Sequence, residues 1–147
     1  MKFFITTLVF TIFATSSMAK DCEIELVGSD MMKYDVTEII LNTSCEKTKI
    51  NLTHAGKLPI SAMGHNIVIV EESNFYKIAE QINFSLGAEK GFLPDSNEIL
   101  YISNMVGGGE TTTLEIDISK FSKDKKYVFF CSFPGHWALM RGNITLI

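Results

Sequence analysis

The sequence predicts an all-β domain, a sandwich or a barrel, that carries one short helix. Most of the chain after residue 20 consists of short apolar or alternating runs that are separated by turn-forming residues. Only one stretch shows helical periodicity, and no repeat or linker interrupts the chain. We therefore expect a single domain over residues 20–147, which is long enough to bury its own core.

The segment before this domain, residues 1–19, is expected to be a cleaved secretory signal peptide. Lys2 gives a positive start, an apolar run of about a dozen residues follows, and Ser17-Met18-Ala19 has the small-x-small form of a cleavage site. A run of that length is too short to span a membrane. Lys20 and Asp21 do not resemble the small apolar residues before a lipid-modified cysteine, so we expect an exported protein with no stable membrane attachment.

Eight strands are predicted from the pattern of apolar and polar residues, since alternation places one face of a strand inward and the other in solvent. The run Ile67 to Val70 is apolar throughout, which predicts a strand buried on both faces. Gly107-Gly108-Gly109 lies between two strands, where a turn with positive φ costs little. The predicted strands are residues 22–26, 38–41, 45–54, 67–70, 98–103, 111–118, 125–131 and 143–147.

One amphipathic helix of about three turns is predicted directly after the strand at residues 67–70. Ser73 could cap its start and Gly87 could end it. We expect the helix to cover part of the core with the apolar residues that recur at helical spacing, namely Phe75, Ile78, Ala79, Ile82 and Leu86.

Charge and cysteine content narrow the possible functions. The formal net charge is −4 and no basic stripe exists, so nucleic acid and anionic membrane surfaces are poor partners.

Three cysteines in an exported chain leave one unpaired if two form a disulfide. A bond between Cys22 and Cys45 would close a loop of about 23 residues and stabilise the fold by roughly 3 kcal/mol. Cys131 would then be free for chemistry.

The segment from Cys131 to Met140 carries the strongest functional signal. It places a thiolate, the His136 imidazole and a thioether at Cys-x4-His-x3-Met spacing, and Pro134-Gly135 bends the chain between the first two. Soft sulfur suits Cu(I), imidazole suits both copper oxidation states, and a weak axial thioether tunes the potential. The pattern predicts a type 1 (blue) copper site that carries electrons.

A second histidine ligand is expected from Gly64-His65-Asn66, where the glycine would let the backbone carbonyl approach the metal. We choose His65 over His54 because His54 shares the inward face of its predicted strand. A buried, hydrogen-bonded role therefore suits His54 better than ligation.

Three segments resemble the azurins, blue copper proteins of the cupredoxin family. They are residues 51–59, residues 63–66 and residues 129–140, and the resemblance extends over residues 20–147, including the two early cysteines and the helix. The Cys-x4-His spacing is closer to that of the azurins than to that of the plastocyanins or pseudoazurins, whose gap is shorter.

This resemblance implies a cupredoxin-like Greek-key β-sandwich of about eight strands with one short α-helix, stapled by a Cys22–Cys45 disulfide. It implies one copper ion held in a trigonal arrangement by His65, Cys131 and His136, with weak axial approach by Met140 and by the Gly64 carbonyl.

The surroundings of the ligands follow from the same resemblance. Asn66 would hydrogen-bond to the ligand sulfur and tie the two ligand loops together, and Phe133 would lie beside it in the layer around the ligands. His54 matches a buried histidine whose protonation is coupled to the redox state in some azurins. Two departures are Ile67, where some azurins have a tryptophan, and Trp137, which directly follows a ligand.

We expect an electron carrier and not an enzyme, because protein donors saturate the metal and leave no position for substrate. Electrons would pass through His136, whose ring edge would reach the surface amid an apolar patch. Its partners would be c-type cytochromes and periplasmic reductases or oxidases that bind transiently to a monomer. The patch comprises Leu58, Met63, Phe133, Pro134 and Trp137, with Met32 as a further candidate.

The periplasm is expected from the likeness to azurins of Gram-negative bacteria, since a signal peptide alone indicates only export. Two other functions fit the same sequence. A copper carrier or sequestering protein would use the same donors but transfer the metal, and a metal-free exported binding module would bury Cys131 as an inert thiol.

Overall fold

Residues 22–147 are described by a computed structural model of the chain, so the predicted signal peptide lies outside the described residues. Eight of the strands in this part of the chain match the predicted ones to within a few residues, and the two-residue β2 is an addition. The strands are β1 (Glu23–Ser29), β2 (Lys33–Tyr34), β3 (Glu38–Leu41), β4 (Lys47–His54), β5 (Val68–Glu71), β6 (Ile99–Ile102), β7 (Thr111–Asp117), β8 (Tyr127–Phe130) and β9 (Arg141–Leu146).

The strands form two sheets that pack face to face as a cupredoxin sandwich. One sheet has the order β2-β1-β4-β7 and the other has the order β3-β9-β8-β5-β6. The pairs β1–β4 and β3–β9 are parallel, and the remaining pairs are antiparallel. Each sheet therefore contains one parallel strand pair, and each such pair requires a crossover connection.

Alternation explains which side chains fill the space between the sheets. In β4, Ile50 and Leu52 point inward and are fully buried, while Lys47 and Lys49 are exposed. The same pattern in the other strands builds one large apolar cluster that contains Leu26, Ile39, Leu41, Ile69, Ile116, Phe129 and Ile144.

A second, smaller cluster lies on the outer face of the five-stranded sheet. Val68 and Val70 of β5 and Phe130 of β8 are packed there under Phe75 and Ile78. Residues 67–70 therefore have apolar neighbours on both faces of the sheet, which explains why this run is apolar throughout, as predicted.

The predicted three-turn helix is wrong in length. A 3₁₀ turn at Glu72–Asn74 leads into a short helix, α2 (Phe75–Ala79), and Phe84–Leu86 forms a separate 3₁₀ turn. Asn83 is extended and its side chain accepts a hydrogen bond from the Ser85 N–H at 2.9 Å, which competes with continuation of the helix. The other helical segments are α1 (Ile60–Met63) and 3₁₀ turns at Ala88–Lys90 and Ile118–Lys120.

The predicted disulfide is present and joins Cys22 to Cys45. These residues lie just before β1 and β4, which are parallel neighbours with Glu23 opposite Lys49. The bond therefore ties together the starts of two paired strands. Among the described residues, none of the helices has the length and apolar character needed to cross a membrane.

One buried hydroxyl in the core generates a stability prediction. Thr48 of β4 is 1% exposed, and its Oγ1 has no hydrogen-bond partner among the described residues. Burying an unsatisfied hydroxyl costs about 1–3 kcal/mol, so we expect Thr48→Val to raise the free energy of unfolding by about 1 kcal/mol. Urea titration of the two proteins measures this difference.

The control is Thr113→Val on the neighbouring strand β7, where the threonine Oγ1 donates to Asn51 Oδ1 at 2.8 Å. That substitution removes a bond that exists, so it should bring no gain. An equal gain from both variants would assign the effect to valine's preference for strands.

Candidate metal centre

Two segments that are distant in sequence meet at one end of the five-stranded sheet. Strands β5 and β8 are antiparallel neighbours, with Val68 opposite Phe130. The residues just before β5 and just after β8 therefore lie at the same end. His65 precedes β5 and Cys131 directly follows β8, so strand pairing brings these side chains together.

Three side chains place their donor atoms around one point. The Cys131 Sγ lies 3.7 Å from His136 Nδ1 and 4.0 Å from His65 Nδ1. All three donor atoms lie within 4.8 Å of one another, and all three residues are buried. Donors that share one ion at bond lengths of about 2.0–2.3 Å lie roughly 3.5–4 Å apart in a trigonal plane. The separations and the soft donor set fit a single copper ion.

The loop between β8 and β9 is held closed by its own backbone. The Cys131 N–H donates to the Met140 carbonyl at 2.9 Å, and the Met140 N–H donates to the His136 carbonyl at 2.8 Å. Gly135 has φ +89°, a conformation that side chains rarely adopt, and it turns the chain back toward the thiol. Met140 is fully buried, and its carbonyl is bonded to the backbone of Cys131.

The first ligand segment is fixed just as closely. The His65 N–H and carbonyl both bond to Val106, and His65 Nε2 donates to the Ser29 carbonyl at 2.9 Å. This bond fixes the tautomer and leaves Nδ1 free as a donor toward the thiol. Gly28 makes room for the ring, since a Cβ there would lie 2.7 Å from His65 Cδ2. The Gly64 carbonyl oxygen lies 3.7 Å from Cys131 Sγ.

Asn66 joins the two ligand segments. Its Oδ1 accepts from the Ser132 N–H at 2.9 Å, and its Nδ2 donates to Ser132 Oγ at 2.9 Å. The backbone N–H groups of Asn66 and Phe133 point at the Cys131 sulfur. Asn66 thus joins the two ligand segments and hydrogen-bonds to the ligand sulfur, as the sequence resemblance implies. The Phe133 amide is a second hydrogen-bond donor to that sulfur.

Burial determines the protonation of the metal-free site. It raises the pKa of the Cys131 thiol to about 11, although hydrogen bonds from Asn66, Phe133 and Tyr34 oppose this shift. Burial also lowers the pKa of His136 to about 4, helped by the neighbouring histidines, and lowers the pKa of His65. Without metal the site is a neutral thiol beside two neutral imidazoles, and a bound cation would replace the thiol proton.

His54 has the buried, hydrogen-bonded role that the sequence predicts. Its Nδ1 accepts from the Gly56 N–H at 2.9 Å and its Nε2 donates to the Met63 carbonyl at 2.8 Å. Both ring nitrogens are occupied, so neither is available as a ligand. The ring stacks on His65 with centroids 4.2 Å apart and thereby supports the ligand ring.

The surface around the site differs from the predicted patch. His136 is 2% exposed and Phe133 is 5% exposed, so the expectation that the His136 ring edge reaches the surface is wrong. The Phe133 ring lies 4.5 Å from the His136 ring and helps to bury it. Trp137 packs against Phe75 and Tyr76 in the second apolar cluster. Leu58 is exposed, and Met32, Met63 and Pro134 are half-buried.

Several residues near the site escape prediction from the sequence. Leu139, in the ligand loop itself, and Met31 are largely exposed apolar side chains. Phe84 is 63% exposed and packs edge-on against Phe133, with ring centroids 5.9 Å apart. Tyr34 lies beside Cys131. The local loop sequence would have indicated Leu139, but Phe84 and Tyr34 reach the site only through the fold.

Comparison with known proteins gives consistent results. The family model of copper binding proteins, plastocyanin/azurin family, matches residues 20–147. The azurin of Alcaligenes faecalis is 36% identical over 126 residues, which cover 85% of this chain and 98% of that protein. The azurin of Pseudomonas aeruginosa is 34% identical over 130 residues, which cover 88% and 87%.

Among solved structures, the azurin Az-iso2 from the obligate methylotroph Methylomonas sp. strain J superimposes with a TM-score of 0.80. It is 33% identical in sequence, and the match covers 86% of this chain and 98% of that one.

The buried imidazoles make the stability of the metal-free protein depend on pH. The pKa of His136 falls from an ordinary 6.5 to about 4 on folding, so the unfolded chain binds more protons between these values. Stability is then complete above about pH 6.5 and decreases as the pH falls toward 4, by at most about 1.4 kcal/mol per pH unit for one proton. Guanidinium titrations of the metal-free protein at pH 7.0, 5.5 and 4.5 measure the slope.

His136→Gln removes the titrating ring and should flatten this dependence relative to the parent. An unchanged slope in the variant would assign the pH dependence to other groups.

Proposed function

Because the chain belongs to the plastocyanin/azurin family of copper-binding proteins, we propose that it is a periplasmic type 1 copper protein that carries single electrons between redox partners. The observation that carries this proposal is the convergence of Cys131 Sγ with the Nδ1 atoms of His65 and His136. Two imidazoles and one thiolate are the trigonal donor set of blue copper sites.

When bound, the copper ion supplies a one-electron couple between Cu(I) and Cu(II). His65, Cys131 and His136 would hold it, with Met140 and the Gly64 carbonyl as weaker donors. The backbone bonds that close the ligand loop and the Ser29 bond to His65 restrain these donors. A site whose donors move little between oxidation states reorganises little, which speeds electron transfer.

The same burial argues for a carrier rather than an enzyme. Each of the three trigonal donors is at most 2% exposed, and the protein supplies enough ligands to fill the coordination positions. A substrate would have to displace a buried side chain to reach the ion. We therefore propose that the chain has no catalytic activity of its own.

Redox partners would dock on the exposed apolar side chains around the ligand loop. We propose that this surface includes Leu58, Met63 and Pro134 of the patch expected from the sequence, together with the exposed side chains of Met31, Leu139 and Phe84. A small apolar interface suits a monomer that must release its partners quickly. Its partners would be c-type cytochromes and periplasmic reductases or oxidases, which the chain would reach after cleavage of residues 1–19.

Adding Cu(II) to the metal-free protein tests the metal centre. We expect one equivalent of copper to produce an intense blue charge-transfer band, and Cys131→Ser to abolish it, since the band requires the thiolate. Absorption spectroscopy measures both. The double variant Cys22→Ser, Cys45→Ser is the matched control, because it loses two cysteines and should remain blue once circular dichroism shows that it is folded.

The same samples distinguish an electron carrier from a copper carrier or sequestering protein. Slow release of copper to a chelator together with rapid electron self-exchange supports the proposal. Rapid metal release with slow self-exchange would identify a copper carrier, and a colourless protein would leave only a metal-free binding module.

A charge on the apolar surface tests the docking site. Met63→Lys should slow electron transfer to a c-type cytochrome by about fivefold or more, because the lysine must be desolvated at the interface, while the blue colour stays unchanged. Stopped-flow kinetics measure the rate. Ile40→Lys is the control, since Ile40 is an exposed apolar residue that pairs with Thr145, toward the opposite end of β9 from the ligand loop. Equal rates for both variants and the parent would contradict the proposed surface.

A further inference from the structure

A tyrosine hydroxyl lies in the layer directly behind the thiol. Tyr34 belongs to the two-residue strand β2 and is 4% exposed. Its hydroxyl donates to the Asn66 carbonyl at 2.5 Å, and the tyrosine lies beside the Cys131 thiol. The ring packs on Phe129, with centroids 5.5 Å apart, which fixes the direction of the hydroxyl.

The contact with Tyr34 is one of several buried hydrogen bonds that restrain Asn66. The Asn66 carbonyl is held by Tyr34, the following N–H of Ile67 donates to Ser103 Oγ at 2.9 Å, and the Asn66 side chain is bonded to Ser132. With these partners in place, the Asn66 residue cannot rotate without breaking several buried bonds. The Asn66 N–H, which hydrogen-bonds to the Cys131 sulfur, belongs to the preceding peptide group, whose His65 carbonyl accepts from the Val106 N–H at 2.8 Å. Asn66 is therefore restrained through its side chain and through both of its peptide groups.

We propose that Tyr34 is a positioning residue of the copper site, whose hydroxyl restrains Asn66 where its backbone N–H meets the Cys131 sulfur and its side chain holds Ser132, and so raises the reduction potential. This inference rests on the proposed function. Hydrogen bonds to the sulfur draw electron density away from the thiolate. Weakening this donor destabilises Cu(II) more than Cu(I), so the reduction potential rises. A hydroxyl that restrains the residue supplying one of these donors therefore favours a higher potential.

Tyr34→Phe tests this inference because it removes only the hydroxyl. We expect the preference of the site for Cu(I) over Cu(II) to fall by up to about tenfold, which is about 59 mV for a one-electron couple. The charge-transfer band should move to lower energy, since the thiolate becomes a stronger donor. Voltammetry and absorption spectroscopy measure these changes. In the Zn(II)-loaded protein, amide hydrogen exchange at Asn66 should become faster.

Tyr127→Phe is the matched control. Tyr127 is another buried tyrosine, its hydroxyl accepts from the Ser122 N–H at 2.8 Å, and it lies at the far end of β8 from Cys131. This variant should lose stability but keep the parent's potential and band. If Tyr34→Phe also keeps both, or shifts them no more than Tyr127→Phe does, the inference is wrong.

A second substitution covers the case in which Tyr34→Phe does not fold. Site-specific replacement of Tyr34 by 3-fluorotyrosine strengthens the hydroxyl as a donor with little change in size, so the potential should rise. An unchanged potential would overturn the inference. Failure of the parent protein to turn blue would instead overturn the proposed function, so the two failures are distinguishable.

Discussion

The antiparallel pairing of β5 with β8 is the constraint on which the site depends. It sets Val68 opposite Phe130, and this register determines how far His65 and Cys131 lie from each other. A shift of one residue would send every side chain of the shifted strand to the wrong face. Apolar clusters cover both faces of this strand pair, so such a shift would disrupt close packing on both sides. The position of the donors is therefore secured by the core.

A metal site of this kind must bury groups that are unfavourable without the metal. The Cys131 thiol is fully buried, and its raised pKa shows the cost of forming a thiolate there. The protein offsets part of this cost with the amides of Asn66 and Phe133, which favour the anion. A bound cation offsets the remainder, so the binding of metal and the deprotonation of the thiol are one coupled event. The surrounding fold must hold the site open when no cation is present, and the Ser29 and Asn66 bonds serve that purpose.

The sequence was sufficient wherever residue patterns carried the information. Apolar runs, alternation and turn residues located eight strands, and the spacing of Cys131, His136 and Met140 indicated the metal. The failures have a common physical origin, because each depends on a side-chain contact that periodicity and ligand spacing do not encode. The helix after β5 ends at Ala79, and the bond from the Ser85 N–H to the Asn83 side chain favours a separate 3₁₀ turn beyond it. The ring of His136 is covered by a neighbouring aromatic ring, which no spacing rule reveals.

The burial of His136 changes where partner recognition must reside. If a ligand ring reached the surface, a partner could touch it directly, and the ring itself would contribute to specificity. Here the Phe133 ring lies 4.5 Å from the His136 ring, and the exposed Phe84 packs edge-on against Phe133. Under the proposed function, partners would meet this apolar layer and not the ligand ring, so substitutions in the layer would alter recognition without altering the donor set. The inner face of the site is governed separately by Tyr34 and Asn66, so the choice of partner and the potential of the centre can vary independently.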